Sequence, residues 1–269
     1  MFFGRSWIWL LLSVSACSTV DTVHTTAAKL GFSAVEVAGP SDAIRLAAFA
    51  RGATGDTMNI YIEGDGAAWI TPYHPPHDPT PAYPVALALA GADPLLKVAY
   101  LGRPCQYLNE QALKRCDLAY WTEKRFSPEV IAAYDTAVNR LMQQMGVRRI
   151  RLIGYSGGGV IATLLAGSRG DVDELITVAS PLSVSAWVAW HNASPLTGSL
   201  DPADLTGRLP LSIHFVGSSD KVVAVSVVEA FVNRRGGFLK VVSDFDHECC
   251  WVRDWGKLLG RPSVLDHVK

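Results

Sequence analysis

The chain has 269 residues, of which 49% are hydrophobic and 18% are charged. This size supports one large domain or two small ones, with a sizeable buried core. The net charge of −1 at pH 7 provides no basic field, so we do not expect nucleic acid as a partner.

The first stretch of the chain has the features of an export signal. Arg5 supplies a positive charge, and the apolar run over residues 7–14 is too short to span a bilayer comfortably. The segment Val14-Ser15-Ala16-Cys17 places small residues before a cysteine, which resembles the bacterial lipobox, whose cysteine is lipidated and becomes the mature N-terminus. We therefore predict a signal peptide over residues 1–16 and a lipidated tether over residues 17–32. Ordinary signal-peptidase cleavage at the same place is the alternative.

Export sets the expected location and the cysteine chemistry. Ser18 after the lipidated cysteine resembles the sorting pattern of outer-membrane lipoproteins, so we expect a protein anchored by lipid to the outer membrane and facing the periplasm. A soluble periplasmic or secreted protein is the alternative. An oxidising compartment favours disulfides between the remaining cysteines. We favour the local pairs Cys105–Cys116 and Cys249–Cys250, and cross-pairing between the two sets is the competitor.

Short apolar segments alternate with helical patterns along the rest of the chain. The predicted strands cover residues 33–37, 44–50, 58–62, 97–101, 149–153, 175–179, 211–216 and 238–242. The predicted helices cover residues 84–92, 128–145, 159–166, 225–234 and 251–259. Alternation of strands with helices favours a mainly parallel sheet with both faces covered. Residues 182–210, between the sixth and seventh predicted strands, form the one long stretch without a strand and could form a small cap.

The segment Gly154-Tyr155-Ser156-Gly157-Gly158 stands between an apolar strand and a buried helix. This G-x-S-x-G pattern between a strand and a helix is typical of a nucleophile elbow. Reversal of the chain within one residue strains the backbone of Ser156, and glycines two residues before and after it prevent clashes. The amide of Gly157 opens the helix, where negative charge is favoured. We predict a catalytic serine, with a glycine-rich turn of another α/β protein as the alternative.

Two further candidates follow later strands. Asp220 comes at the end of a strand, and His247 lies in the loop after the last strand, so both lie where α/β sheets place their sites. A serine hydroxyl needs a base to take its proton, a neutral imidazole can do this, and a buried carboxylate fixes the tautomer of the imidazole. Asp244 and Asp246 are the rival acids, and Gly-Ser-Ser-Asp turn chemistry is the alternative explanation of Asp220.

With this order of nucleophile, acid and histidine, the chain after the tether resembles the serine hydrolases of the α/β-hydrolase superfamily. The resemblance implies an α/β-hydrolase fold over residues 33–269, with a mainly parallel eight-stranded sheet, helices on both faces and at most a small cap over residues 182–210. It also implies cleavage of an ester, thioester or amide through an acyl-enzyme, with Ser156 as nucleophile, His247 as base and Asp220 as acid. An acyltransferase with the same triad and a non-catalytic binding module are the alternatives.

The resemblance further implies an oxyanion hole made of two amides. Gly157 supplies one, and the family takes the other from the loop after the third strand, often His-Gly-Gly, where this chain has Glu63-Gly64-Asp65-Gly66. Gly64 matches the family's glycine, so we expect Asp65 to present the second amide, although the first loop residue departs from the family's histidine. A free carboxylate of Asp65 would repel an oxyanion, so we expect it to be turned away or paired, with Arg103 as the candidate partner.

A small acyl compound is the expected substrate. We expect four aromatic side chains around it: Trp69, Tyr107, Trp187 and Trp190. They suggest an apolar acyl or aryl group, and core packing is the alternative explanation. No nucleotide, flavin or metal motif stands out, so no cofactor is expected. His74 and His77 are three positions apart, but no third ligand is evident, and we interpret them as part of a surface loop.

Overall fold

The computed structural model describes residues 19–38, 44–52, 55–67, 74–95 and 97–260. The strands of its sheet are β1 (Ser33–Ala34), β2 (Ala48–Arg51), β3 (Thr57–Ile62), β4 (Val98–Leu101), β5 (Arg149–Tyr155), β6 (Val172–Val178), β7 (Leu211–Gly217) and β8 (Phe238–Val242). The α-helices of the described residues are α1 (Thr19–Lys29), α2 (Val85–Ala92), α3 (Glu110–Leu113), α4 (Pro128–Met145), α5 (Gly157–Ser168), α6 (Val184–Trp190), α7 (Val225–Arg235) and α8 (Trp251–Leu258). Two short 3-10 helices lie at Leu118–Trp121 and Pro202–Asp204.

The sheet has eight strands in the order β1-β2-β4-β3-β5-β6-β7-β8. β2 runs antiparallel to both of its neighbours, whereas all pairs from β4 to β8 are parallel. The carboxyl ends of β3, β5, β7 and β8 therefore meet along one edge of the sheet, which is the edge where a site is expected in such folds. The predicted mainly parallel, eight-stranded sheet is confirmed.

Helices cover both faces of the sheet because alternate strand residues point to opposite sides. One face carries Ile60 and Leu152 and packs against Val130 and Leu165 of α4 and α5. The other face carries Tyr61, which packs with residues of α1, α2 and α8. Strands buried on both faces read as nearly continuous apolar runs, which is why the sequence pattern found them.

Helix α4 begins and ends where local chemistry requires. The hydroxyl of Ser127 accepts a hydrogen bond from the amide of Val130, and Pro128 occupies the first turn. Gly146 ends the helix with a left-handed backbone at φ 62°. The predicted helix over residues 128–145 has these bounds.

The segment predicted as a tether differs from expectation. Thr19–Lys29 forms helix α1, with Val23 and Ala27 buried against the α2 and α8 face of the sheet. These apolar residues are four positions apart and share one face of the helix, which is enough to dock it despite its polar composition. The predicted signal peptide and the lipidation site Cys17 lie outside the described residues.

Two other regions carry more structure than the sequence pattern indicated. Residues 102–122, where no strand or helix was predicted, contain α3 and the 3-10 helix Leu118–Trp121. Residues 182–210, the segment predicted as a small cap, contain α6 and the 3-10 helix Pro202–Asp204. Within the described ranges, none of the helices has the length and hydropathy that a membrane crossing needs.

Candidate active site

The turn between β5 and α5 holds Ser156 in a strained backbone conformation, with φ 49° and ψ −125°. Its amide donates a hydrogen bond to the carbonyl of Val178, at 2.8 Å. A Cβ atom at Gly154 would lie 2.4 Å from the backbone of Gly158 and Gly159. A Cβ atom at Gly158 would lie 2.2 Å from the carbonyl oxygen of Ile62. Both flanking glycines are therefore required by close backbone approach, as expected for a nucleophile elbow.

The structure brings the three predicted catalytic residues into one line. The Oγ atom of Ser156 lies 3.0 Å from Nε2 of His247, and Nδ1 of His247 lies 2.9 Å from Oδ2 of Asp220. With the proton on Nδ1, the imidazole donates to the carboxylate and its Nε2 can accept the serine proton. The predicted nucleophile, base and acid are thus in hydrogen-bond contact.

Backbone amides hold the carboxylate of Asp220 in place. The Oδ1 atom of Asp220 accepts hydrogen bonds from the amides of Val222 and Val223, each at 2.8 Å. The side chain of Asp220 has 0% exposure, whereas that of His247 has 15%. One carboxylate oxygen is thus held by the chain itself, and the other is left for the imidazole.

The loop that carries His247 is fixed through its backbone. The carbonyl of His247 accepts hydrogen bonds from the Tyr155 hydroxyl and from the indole Nε1 of Trp251, both at 3.1 Å. The carboxylate of Asp246 accepts the amides of Glu248 and Cys249 and so shapes the same loop. Asp246 and Asp244 are both exposed, and the histidine pairs with neither.

The predicted oxyanion-hole residues lie around Ser156. Gly157 is the first residue of α5, so its amide has no acceptor within the helix. Gly64 passes close to the nucleophile, since a Cβ atom there would lie 3.2 Å from Cβ of Ser156. The amide of Gly64 donates to Oε1 of Glu63 at 2.9 Å, whereas among the described residues none accepts the amide of Asp65. Among the described residues, the amides of Gly157 and Asp65 are thus left without an acceptor, as the predicted oxyanion hole requires.

Two arginines pair with the carboxylate of Asp65. Nη2 of Arg103 lies 3.0 Å from Oδ1, and Nη1 of Arg125 donates to Oδ2 at 3.0 Å. Arg103 also donates through Nη1 to the carbonyl of Gly157 at 3.1 Å and through Nη2 to the carbonyl of Arg125 at 2.8 Å. The expected partner Arg103 is present, and Arg125 is a second partner that the sequence did not indicate. It lies in the loop before α4, and no local pattern distinguishes it from a surface arginine.

Glu63 is buried beside the same loop, with 1% exposure. Its carboxylate accepts hydrogen bonds from the amides of Gly64 and Ala86 at 2.9 and 3.2 Å and from the hydroxyl of Tyr100 at 3.1 Å. Burial raises the pKa of Glu63 to about 7, although the backbone hydrogen bonds oppose that rise. Glu63 thus joins the loop after β3 to the first turn of α2.

A cavity of about 580 Å³ opens onto Ser156 and His247. Its apolar lining includes Val184, Trp187 and Leu196 of the segment predicted as a cap, together with Val222 and Val223. Pro81, Ala82, Tyr83 and Val85 also line it. Charged side chains in the described lining are Glu63, Asp65, Arg125 and Glu248.

Of the aromatic residues expected around the substrate, Trp187 lines the cavity, whereas Tyr107 and Trp190 are not in its described lining. Trp187 lines the cavity and donates through Nε1 to the carbonyl of Val222 at 2.8 Å. Tyr107 does not: it is buried, and its hydroxyl lies 3.0 Å from that of Tyr100. Trp190 points to solvent with 47% exposure and is not part of the described lining, and Trp69 lies outside the described residues.

The four cysteines of the domain form two local pairs. Cys105 is bonded to Cys116, with their Cα atoms 5.8 Å apart, and Cys249 is bonded to Cys250. The second pair follows the catalytic loop directly. The exposed His74 and His77 do not belong to a metal centre in the part of the chain that the structure describes, where no cluster of three or more ligand side chains occurs.

Similar solved structures agree with this architecture, although no protein-family model and no curated protein matches the sequence. An esterase from Pyrococcus furiosus matches with a TM-score of 0.60 and 15% identity, over 87% of this chain and 91% of its own. A serine hydrolase homologue from Coxiella burnetii matches with a TM-score of 0.55 and 19% identity, over 85% and 94%. The chain has the α/β-hydrolase fold. A serine hydrolase without a lid from Xanthomonas campestris matches with a TM-score of 0.52 and 14% identity, over 85% of this chain and 90% of its own.

Proposed function

We propose that the protein is a serine hydrolase that cleaves an ester, thioester or amide through an acyl-enzyme intermediate. The observation that carries this proposal is the hydrogen-bonded line from Ser156 through His247 to Asp220, with contacts of 3.0 and 2.9 Å. The line opens into a cavity and ends on a carboxylate that backbone amides hold. This combination of an activated hydroxyl, a base and an orienting acid is what acyl transfer to serine requires.

Acylation follows from the positions of these atoms. The Oγ atom of Ser156 adds to the carbonyl carbon of the substrate while its proton passes to Nε2 of His247. The carbonyl electron pair moves onto oxygen, where the amides of Gly157 and Asp65 can donate to it. When this intermediate collapses, the bond to the leaving group breaks and the imidazolium returns its proton to the departing atom. Asp220 stabilises the imidazolium between the two steps.

Deacylation repeats the sequence with water as the nucleophile. His247 takes a proton from the water, the hydroxide oxygen adds to the acyl carbon, and the bond to Oγ breaks. The carboxylic acid leaves and Ser156 regains its proton. In acylation and in deacylation, the ion pairs of Asp65 with Arg103 and Arg125 neutralise a carboxylate that would otherwise repel the oxyanion.

Hydrolysis of p-nitrophenyl butyrate, with butyrate measured as a product, tests this function. We expect turnover by the wild type and none above background for Ser156→Ala. The thermal transition of the variant, followed by circular dichroism, is the control for folding. A folded wild type without turnover or acylation on a panel of esters, thioesters and amides would favour a non-catalytic binding module.

We also propose that the chain is exported and anchored by a lipid on Cys17. The lipobox-like residues support this, and so do the two disulfides of the domain, since such bonds persist in oxidising compartments. Labelling with a fatty-acid analogue in a bacterial host tests it. We expect label on the wild type and none on Cys17→Ala, and an unlabelled wild type would contradict the proposal.

A further inference from the structure

The guanidinium of Arg125, on the cavity wall, has N–H groups without a hydrogen-bond acceptor among the described residues. Arg125 donates through Nε to the carbonyl of Thr122 at 2.6 Å and through Nη1 to the carboxylate of Asp65 at 3.0 Å. Among the described residues, none accepts a hydrogen bond from its Nη2. Arg125 lines the cavity that opens onto Ser156, so this N–H edge is available to a group bound there.

The charges around Arg125 do not balance. Two arginines, Arg103 and Arg125, face one carboxylate, that of Asp65. Arg103 is directed inward, with its Nη atoms on the carbonyls of Gly157 and Arg125. The cluster therefore carries one positive charge in excess, and Arg125 is the only lysine or arginine in the described lining of the cavity.

The acids of the cavity do not neutralise this excess. The oxygens of Glu63 are occupied by two backbone amides and by the hydroxyl of Tyr100. Glu248 is exposed and makes no ion pair with Arg125. A charged group that is 5% exposed and has a free donor gains most from an anionic acceptor, because such hydrogen bonds are strong where water is limited.

The cluster also lies close to the reacting atoms. A Cβ atom at Gly157 would lie 2.1 Å from Oδ1 of Asp65, the carboxylate that Arg125 binds. Asp65 thus connects Arg125 to the Gly157 end of the cavity, next to Ser156. Phe126, the next residue, and Leu196 are apolar residues of the same lining.

We propose that Arg125 binds an anionic group of the substrate, so that the preferred substrates are short esters that also carry a carboxylate. This rests on the proposed hydrolase function and names its substrate class. The carboxylate can belong to the acyl part, as in a half-ester of a short dicarboxylic acid, or to the alcohol part. Both satisfy the same guanidinium, and paired substrates distinguish them.

Two substrate pairs test the proposal. The first is the p-nitrophenyl half-ester of glutaric acid against its neutral methyl diester. The second is 4-butyryloxybenzoic acid against its methyl ester. We expect the wild type to favour the anionic member of at least one pair in kcat/KM, and Arg125→Met to lower that preference by roughly 10- to 100-fold, as for a hydrogen bond between charged groups.

Asp65→Asn is the matched control, because it disturbs the same ion pair but keeps the cation on the cavity wall. We expect it to lower kcat/KM for both members of a pair without lowering the preference for the anionic member, because the cation remains and has lost its carboxylate partner. Arg125→Lys, which keeps the charge without the planar fork, should retain part of the preference. It replaces Arg125→Met if that variant does not fold.

Two results would overturn the assignment of Arg125 to an anionic substrate group. Equal kcat/KM for the charged and neutral members of both pairs in the wild type would overturn the proposal. So would a preference that Arg125→Met leaves unchanged. In both cases the neutral esters are still hydrolysed, so the proposed function stands. A wild type that hydrolyses no ester, and that no serine-directed probe labels, removes the proposed function itself and this inference with it.

Discussion

The two halves of the candidate site are held by different kinds of contact. On the proton-transfer side, backbone amides two and three residues further along the chain hold Asp220, and the carbonyl of His247 is held by Tyr155 and Trp251. On the oxyanion side, the loop of Asp65 is held by the side chains of Arg103 and Arg125 from distant segments. The backbone amides that hold Asp220 survive most substitutions, so the first half should depend on a few side chains, whereas the second should depend on a charge cluster.

Removal of the nucleophile or the base should have the largest effect. Ser156→Ala or His247→Ala should each lower kcat by roughly four to six orders of magnitude, because neither residue activates attack without the other. The double variant should lose little more. Initial rates with p-nitrophenyl butyrate measure this, and His77→Ala, the same change in an exposed histidine, should behave like the wild type. Additive losses in the double variant would contradict a shared role.

An Asp-to-Asn change should lower kcat more on the proton-transfer side of the site than on the oxyanion side. Asp220→Asn should lower kcat by roughly 10⁴-fold, because the amide no longer favours the productive tautomer of His247. Asp65→Asn should lower it by roughly 10- to 100-fold, because the amide proposed for the oxyanion remains and only its support is weakened. Parallel measurements of kcat and of circular dichroism separate these effects from unfolding. A larger loss for Asp65→Asn would reverse the comparison.

The buried Glu63 should link stability to pH. Its pKa is raised to about 7 by burial, so the folded state holds the proton more tightly than the unfolded state. Its contribution is fully present below the unfolded pKa, near 4.3, and is lost as pH rises through about 7. Glu63→Gln keeps an acceptor for the amides of Gly64 and Ala86 and should flatten this loss, which is on the order of 3 kcal/mol.

Urea unfolding at pH 5 and pH 8 checks this link. The buried His214 acts in the opposite direction, since burial lowers its pKa to about 4. Stability from this group is present above its ordinary pKa and is lost as pH falls. The difference between the wild type and Glu63→Gln therefore isolates Glu63. An equal change of unfolding free energy with pH in both proteins would contradict the assignment.

The smallest effect should come from the bonded pair that follows the catalytic histidine. The amide of Cys249 donates to Asp246, which shapes the His247 loop, and Cys250 packs partly in the core. Loss of the bond in the Cys249→Ala, Cys250→Ala double variant should lower kcat by a few-fold, because the loop retains its other hydrogen bonds. Steady-state kinetics measure this change. The Cys105→Ala, Cys116→Ala variant is the control and should instead lower the unfolding free energy by roughly 2–3 kcal/mol.

The sequence predicted the parts of the molecule that depend on local chemistry. The glycine spacing around Ser156, the bounds of α4 and the apolar strands are all evident from a few neighbouring residues, and the structure has each of them. Helix α1 was missed because its polar composition dominated, although the spacing of Val23 and Ala27 carried the signal.

The remaining features depend on contacts between distant segments. Arg125 reaches Asp65 across sixty positions of sequence, and only the fold brings them together. Tyr107 was expected at the substrate because aromatic residues commonly line pockets, but Tyr100 holds it in the core. A residue's type cannot tell which of these environments it occupies, so the charge cluster and the true cavity wall emerged only from the structure.

The most direct test of the central claim is covalent labelling of the wild type with a fluorophosphonate, followed by peptide mapping. We expect one equivalent of label on Ser156, because only that hydroxyl has an imidazole 3.0 Å away and an exit into the cavity among the described serines. Ser156→Ala should take up none. Label on another residue, or none on a folded wild type, would contradict the proposed nucleophile.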